Sequence, residues 1–356
     1  MNYNKIYNSL TDVNIDDGYE SCVKQIDFSY NKLKDPGYSI DNENCPSYHL
    51  EQLKRDCLHD RFSIDYSNYH FECLINMPNS EEIGDSMFVI FSGARDLKKD
   101  RLPVFKRWSY HKFVDSIVLN IADPMFYKFN DLCLGWYYGD ENESAIKLCA
   151  DIIKKIQSLL SISNKKLFFF GSSGGGYVSL QMAMYFSETT HIAINPQIIL
   201  SNFFYGKTFS EITGINLLTR DDFKRNQTIE IIKNRIKNST NRFFIIQNLQ
   251  CKDDCTLQLF PLMKELGISK FHFGLNNYKN FALWMYSCIG GHNAQGDQLI
   301  FSYVIYIAQK ISEGSELTDF DFFLIKNISC IWRQREWFLS QHKSCLSKLN
   351  FIEKNK

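Results

Sequence analysis

Short apolar runs recur through the middle of the chain and alternate with longer amphipathic stretches. Runs such as residues 87–91 and 167–170 contain four or five consecutive apolar side chains, which is typical of strands buried on both faces of a sheet. This alternation predicts an α/β protein with a mostly parallel central sheet and helices on both faces. The predicted strands are 87–91, 116–121, 167–170, 191–195, 243–247 and 271–273, and the predicted helices are 143–160, 177–186, 257–266 and 297–311.

The regions around these runs have different patterns. Residues 62–66 and 70–75 alternate between apolar and polar side chains, which predicts two antiparallel strands ahead of the parallel sheet. Residues 202–241 are charged and helical in pattern, and we expect them to form a helical insertion over one edge of the sheet. The chain is therefore divided into an N-terminal extension at 1–60, a catalytic domain at 61–312 and a basic helical tail at 313–356.

The composition is that of a globular protein and narrows the function classes. Of 356 residues, 44% are apolar and 22% are charged, proportions that exclude wholesale disorder. Forty basic residues balance forty acidic ones, so we expect no nucleic-acid partner. The exception is residues 326–356, where seven Lys or Arg stand against two Glu. This basic tail could contact a membrane surface or a partner enzyme, although packing on the domain as a helical cap is the simpler interpretation.

The sequence predicts a cytoplasmic protein without a metal. Residues 1–20 lack the charged–apolar–small pattern of a secretory signal, and no apolar run reaches about 18 residues. The eleven cysteines follow no tight spacing, so we expect reduced and mostly buried thiols. Cys251 and Cys255 lie four positions apart near acidic residues, but no His or Cys pair close in sequence completes a tetrahedral set.

The most specific motif is a glycine-rich turn at residues 171–176. It follows the apolar run 167–170, and Gly171, Ser173 and Gly175 fit the pattern G-x-S-x-G. This pattern predicts a nucleophile elbow, a strained strand-to-helix turn that exposes the serine at its apex. The amide of Gly174 would then donate to a developing oxyanion.

Two other interpretations of this turn remain open, a phosphate-binding loop and a tight turn without chemistry. The phosphate-loop pattern G-x-x-x-x-G-K-[ST] does not fit, because Tyr177 stands where it requires a lysine.

A serine nucleophile needs a base and an acid that orients it, in the chain order Ser, then Asp or Glu, then His. Asp253 and Asp254 follow the predicted strand 243–247, and we favour Asp254 while keeping Asp253 as the alternative. His292 lies in a loop next to two glycines and follows both acids. The predicted triad is therefore Ser173, Asp254 and His292.

Candidate oxyanion and substrate contacts follow two earlier strands. The second oxyanion donor should lie after strand 87–91, where the amide of Gly93 or Ala94 is available. Arg95 in the same loop could face substrate or balance a nearby acid. Trp136 and Tyr137 lie near the expected mouth of the site, where their rings could stack on a sugar or belong to the core.

These motifs resemble the α/β-hydrolase superfamily over residues 60–312. Three segments, 171–176, 252–255 and 289–293, more narrowly resemble the serine O-acetyltransferases of bacterial capsule clusters. The resemblance implies that Ser173 accepts an acetyl group from acetyl-CoA and passes it to a sugar hydroxyl, with His292 as base and Asp254 as its orienting acid.

We therefore expect a serine acyltransferase that O-acetylates a bacterial surface polysaccharide. A carboxylesterase or polysaccharide deacetylase with the same triad is the first alternative, and a non-catalytic scaffold of a polysaccharide or secretion complex is the second. The expected partners are a carbohydrate acceptor and, through the basic tail, capsule-biosynthesis enzymes or the inner membrane surface, where the protein would lie peripherally.

Overall fold

The strands of the described residues form one sheet. The computed structural model describes residues 45–78, 85–113, 116–217, 223–238, 240–286, 292, 305, 307–311 and 315–318. Ten strands within these ranges pair in the order β1-β2-β3-β5-β4-β6-β7-β8-β10-β9. They are β1 (Ser47–His49), β2 (Asp60–Tyr66), β3 (Tyr69–Asn76), β4 (Met87–Phe91), β5 (Ile117–Ile121), β6 (Leu167–Ser172), β7 (Thr190–Ile194), β8 (Arg242–Asn248), β9 (Gly274–Tyr278) and β10 (Phe281–Tyr286).

The centre of the sheet is parallel, as predicted. Strands β5, β4, β6, β7, β8 and β10 run parallel to their neighbours in that order. At one side β2 and β3 form an antiparallel pair, and β3 joins β5 antiparallel. At the other side β9 pairs antiparallel with β10. The carboxyl ends of the six parallel strands therefore meet along one edge, where α/β proteins place their sites.

The phenylalanine-rich strands are explained by burial on both faces. Every residue of β4, β5, β6 and β7 is buried. On one face the rings of Phe88 and Phe168 stack with centroids 4.7 Å apart. On the other face Phe169 packs against Phe186, with centroids 4.9 Å apart. Because successive side chains of a strand point to opposite faces, a doubly covered sheet needs apolar residues on both faces.

Helices cover this sheet, and several match the predicted ones. The longest, Ala145–Leu160, is capped by Ser144, whose side chain accepts a hydrogen bond from the Lys147 amide. No helix of the described residues is long and apolar enough to cross a membrane. The helices are α1 (Met125–Lys128), α2 (Ala145–Leu160), α3 (Gly174–Gln181), α4 (Gly206–Thr213), α5 (Phe223–Asn226), α6 (Ile229–Lys237) and α7 (Phe260–Glu265), the last preceded by a π-helical turn at Asp254–Leu259.

The described part of the segment 202–241, where the sequence predicts a helical insertion, contains α4, α5 and α6 and packs near the carboxyl ends of the central strands. Phe209 of α4 packs against Trp136 with ring centroids 5.1 Å apart. Arg225 of α5 accepts a hydrogen bond at its carbonyl from Tyr177 of α3. Helix α3 follows β6, the sixth of the ten strands. The insertion is therefore placed to form one wall of a site at the end of β6.

The two ends of the sheet differ from the sequence-based expectation. Residues 271–273 are not a strand, and β9 and β10 instead form a hairpin over Gly274–Tyr286. The polar edge strand β9 lacks the apolar run that the prediction relied on, which explains the error. The sheet also begins before residue 61, because β1 pairs with β2. Residues 1–44 and 319–356 lie outside the described residues, and so does the predicted helical tail apart from 315–318.

Candidate active site

Ser173 stands at the turn between β6 and α3, at the carboxyl end of the central strand. Its backbone angles are φ 54° and ψ −122°, a sparsely populated region for a residue with a side chain. The turn is held on both sides, because the Ser173 amide donates to the Ile194 carbonyl at 2.9 Å and its carbonyl accepts from the Tyr177 amide at 3.1 Å. The strained geometry therefore belongs to a well-anchored elbow.

The glycines of the elbow are required by close backbone approaches. A Cβ atom at Gly171 would lie 2.1 Å from the carbonyl carbon of Gly175. A Cβ atom at Gly175 would lie 2.3 Å from the carbonyl oxygen of Phe91 in β4. Real Cβ atoms do not tolerate such distances from backbone atoms, so α3 could not pack this closely on β4 and β6 with any other residue.

The structure brings the three predicted triad side chains into one hydrogen-bonded chain. His292 Nε2 lies 2.7 Å from Ser173 Oγ, and His292 Nδ1 lies 2.5 Å from Asp254 Oδ2. Asp254 is 4% exposed and begins the π-helical turn that follows β8. Asp253 is exposed and only precedes that turn as its N-cap residue. Asp254 is therefore the carboxylate that orients the imidazole here.

Asn195 lies directly after β7 and holds the backbone of His292 in position through its side-chain amide. Its side-chain amide donates to the Tyr286 hydroxyl at 3.1 Å and to the His292 carbonyl at 3.5 Å. Its Oδ1 accepts from the Asn248 amide at 2.7 Å. Asn195 thereby ties the histidine to the ends of β8 and β10, and it was not identified from the sequence.

Gln197 is a second contact that no motif of the sequence predicts. Its Nε2 donates to Ser173 Oγ at 2.9 Å, and its Oε1 accepts from the Trp136 indole at 3.2 Å. Because an indole nitrogen can only donate, this contact fixes the orientation of the amide and leaves Nε2 facing the serine. Gln197 is fully buried, so its amide is a preorganised donor. Its only sequence signal is its place just after a central strand.

Arg95, Trp136 and Tyr137 are buried and do not line the cavity at Ser173, which favours the second role that the sequence left open for each, a core position or the balance of an acid, over contact with substrate. Trp136 and Tyr137 have no exposed surface. The Tyr137 hydroxyl donates to the Ile121 carbonyl and accepts from the Ser92 amide. Arg95 donates from Nε to the Leu132 carbonyl at 2.8 Å. Trp136 contributes to the site indirectly, because its indole holds Gln197 in place through the hydrogen bond to Oε1.

Asp123 holds the turn that carries Trp136. Both Trp136 and Tyr137 have φ 52°, which is costly for aromatic residues. The Asp123 carboxylate accepts from the Tyr137 amide at 3.2 Å and from the Met125 amide at 3.0 Å. Burial raises the pKa of Asp123 to about 7, although these backbone hydrogen bonds and Arg95 lower it. Arg95 thus lies near an acid, which was the second role considered for it.

The loop after β4 and the elbow at Ser173 both carry backbone amides that could donate to an oxyanion. Gly93 lies against the elbow, and a Cβ atom built on it would be 3.2 Å from the Ser172 carbonyl oxygen and 3.8 Å from the Gly174 amide nitrogen. The amides of Ser92 and Arg95 already donate to Tyr137 Oη and to the Cys133 carbonyl. The amides of Gly93 and Ala94 remain between them, and both residues line the cavity at Ser173.

A cavity of about 500 Å³ opens at Ser173 and His292. Phe204 stands at its outer rim and is 84% exposed. Lys106 and Arg107 bring positive charge to the wall, and Arg107 has φ 61°. Lys106 pairs with Asp100 at 2.5 Å. The lining residues are Gly93, Ala94, Lys106, Arg107, Cys133, Leu134, Ser172, Ser173, Phe203, Phe204, Tyr205 and His292.

The two cysteines next to the acid have different surroundings. Cys255 is fully buried, and its thiol lies 3.6 Å from the Asn248 carbonyl oxygen. Cys251 is half-buried, and burial together with a hydrogen bond to Asp254 raises the pKa of its thiol to about 12. The Cys251 thiol is therefore a neutral donor beside Asp254 at ordinary pH.

Replacing Gln197 with leucine should lower kcat for serine acylation by about 10- to 100-fold, the value of a hydrogen bond to a group that develops charge. KM should change little, because Gln197 does not line the cavity. The measurement is steady-state and single-turnover hydrolysis of an aryl acetate. Gln197→Glu is the matched variant, since it keeps the acceptor for Trp136 and loses the donor to Ser173. An unchanged kcat in both variants would contradict this role.

Several solved structures are similar in fold to this chain. The acylaminoacyl peptidase of Pyrococcus horikoshii matches 74% of this chain and 43% of its own, with a TM-score of 0.51 and 12% identity. The capsule O-acetyltransferase of Neisseria meningitidis serogroup A matches 71% of this chain and 93% of its own, with a TM-score of 0.49 and 17% identity. The Glycosylation Associate Protein (Gap123) complex from Streptococcus agalactiae matches 74% of this chain and 47% of its own, with a TM-score of 0.47 and 17% identity.

No family model matches the chain, and no curated protein matches it. The structural likeness and the strand order confirm the predicted α/β-hydrolase fold. Identities below one fifth leave the chemistry to be argued from the residues of the site.

Proposed function

We propose that this protein is a serine acyltransferase that forms an acyl-enzyme on Ser173 and passes the acyl group to a carbohydrate hydroxyl. The observation that carries the proposal is the chain of hydrogen bonds from Asp254 through His292 to Ser173, at 2.5 and 2.7 Å. It ends on a serine in a strained elbow. An inert turn or a scaffold needs none of these contacts.

Acylation uses His292 as base. His292 Nε2 takes the proton of Ser173 Oγ as this oxygen attacks the carbonyl carbon of the donor. The amides of Gly174 and of Gly93 or Ala94 then donate to the oxyanion. His292 returns the proton to the leaving thiolate or alkoxide. Asp254 keeps the Nδ1 proton in place and stabilises the imidazolium that forms.

Transfer reverses these steps with a different nucleophile. His292 takes the proton of an acceptor hydroxyl, whose oxygen attacks the acyl carbon, and Ser173 leaves with the proton that His292 returns. An acceptor other than water needs a surface to hold it. Phe204 offers an exposed ring at the rim of the cavity, and aromatic rings stack on the apolar faces of sugars.

The cavity wall favours an anionic donor such as acetyl-CoA. Arg107 lines it next to Lys106, which is paired with Asp100, and a guanidinium attracts the phosphates of a CoA thioester. A surface polysaccharide of bacterial capsule type is the proposed acceptor, as the resemblance in sequence first suggested.

The test is incubation of the full chain with labelled acetyl-CoA, with and without a capsule-type oligosaccharide. We expect label on the peptide that contains Ser173 and its transfer to the oligosaccharide, and both should be lost in Ser173→Ala. Ser172→Ala is the matched control, because it removes the neighbouring hydroxyl and should keep the label.

The other outcomes separate the alternatives. Label released only to water, with or without sugar, would replace the transferase with an esterase. No label on Ser173 and no hydrolysis of an aryl acetate would overturn serine catalysis altogether.

A further inference from the structure

The thiol of Cys251 lies close to the acid and the base of the triad. Together these three side chains are of types that bind metal ions. Cys251 Sγ, a carboxylate oxygen of Asp254 and a ring nitrogen of His292 all lie within 4.8 Å of one another. Cys251 stands on the turn after β8, where its carbonyl accepts from the Cys255 amide at 3.1 Å. The sequence offered no histidine near Cys251, and the fold supplies His292 from a distant segment.

Thiolate, imidazole and carboxylate are the ligands that zinc prefers, with bond lengths of about 2.0–2.3 Å. Tetrahedral coordination at these lengths places ligand atoms roughly 3.5 Å apart. The three atoms here reach this spacing with shifts on the order of 1 Å, once the contact between His292 Nδ1 and Asp254 opens. Three protein ligands leave a fourth position for water, as in open zinc sites.

We propose that Cys251, Asp254 and His292 form an inhibitory site for zinc or a similar soft divalent cation. The inference rests on the proposed function, because it concerns regulation of the same triad. Cys251 is not part of the triad, and its thiol is the ligand that adds a metal site to a serine active site.

Binding would stop catalysis through the imidazole tautomer. Coordination by His292 Nδ1 requires the proton of this nitrogen to move to Nε2 through solvent, while the Cys251 thiol releases its proton. Nε2 then carries a proton and cannot accept the one on Ser173 Oγ. One proton leaves the protein for each cation bound, and no oxidant or reductant is needed.

The activity test is hydrolysis of an aryl acetate in buffered free zinc. We expect inhibition of the wild-type protein that a chelator reverses. Cys251→Ser keeps a hydroxyl at this position, and relative to its own zinc-free activity it should need at least about tenfold more zinc for the same fractional inhibition, because it loses the thiolate ligand. Cys57→Ser is the matched control, since Cys57 is also half-buried but lies in the short turn Arg55–Cys57 between β1 and β2, at the side of the sheet opposite to β10. It should keep wild-type zinc sensitivity.

A second measurement does not depend on activity. Cobalt(II) added to Ser173→Ala should give a thiolate-to-metal charge-transfer band, and the Ser173→Ala, Cys251→Ser double variant should lack it. This band can appear even if the acyltransferase proposal fails. Absence of the band, or equal zinc inhibition of the wild type and Cys251→Ser, would overturn the metal site.

Discussion

Replacement of Ser173 with glycine should abolish acyl transfer and still give a more stable protein than replacement with alanine. Ser173 has φ 54° and ψ −122°, a conformation that costs a residue with a Cβ atom about 1–3 kcal/mol. Glycine adopts it without this cost but loses more backbone entropy on folding, about 0.5–1 kcal/mol relative to alanine. The free energy of unfolding of Ser173→Gly should therefore exceed that of Ser173→Ala by about 1 kcal/mol.

Both variants lack the nucleophile, and kcat should fall by at least about 10⁴-fold in each. Both also lose the hydrogen bonds of Oγ to Gln197 and His292, so these losses cancel when the two are compared. Urea unfolding measures the free energy of unfolding of each variant, and aryl acetate hydrolysis measures its kcat. If the glycine variant were no more stable than the alanine variant, the elbow would not be strained at Ser173.

Much of the sheet could be predicted from the sequence, because burial on both faces leaves a direct pattern. The runs that became β4, β5, β6, β7 and β8 are mostly apolar, and their lengths are those of strands. The two strands of the hairpin, β9 and β10, were missed for two different reasons. β9 lies at the edge and is polar, and the apolar run Phe281–Tyr286 has no periodicity that distinguishes a buried strand from a buried helix.

The residues of the site likewise fall into those that the sequence can predict and those that it cannot. Ser173 was recognisable because close backbone packing demands glycine at positions 171 and 175, and such demands are visible in a sequence. Gln197 has no such signal, because its role depends on where the indole of Trp136 points. Exposure is equally a property of the folded chain, which is why the sequence leaves open whether Trp136, Tyr137 and Arg95 contact substrate. Their buried hydrogen bonds instead hold the turn behind the serine.

Replacement of Asp254 with asparagine should lower kcat by about 10⁴-fold, whereas Asp253→Asn should stay near the wild-type value. Asp254 Oδ2 lies 2.5 Å from His292 Nδ1 and, as a carboxylate, can only accept a hydrogen bond there, so it fixes the tautomer whose Nε2 can take the serine proton. An asparagine amide can donate to Nδ1, which leaves the proton on Nε2 and removes the base.

The neighbouring pair is a strict control, because each substitution removes one carboxylate charge from the same turn. Asp253 is exposed and does not contact the imidazole, so its loss changes only the nearby field, which solvent screens. The measurement is kcat and KM for an aryl acetate, with urea unfolding to confirm that both variants fold. A loss in Asp253→Asn as large as that in Asp254→Asn would mean that His292 depends on the charge of the turn. A loss confined to Asp254→Asn would mean that it depends on one hydrogen bond.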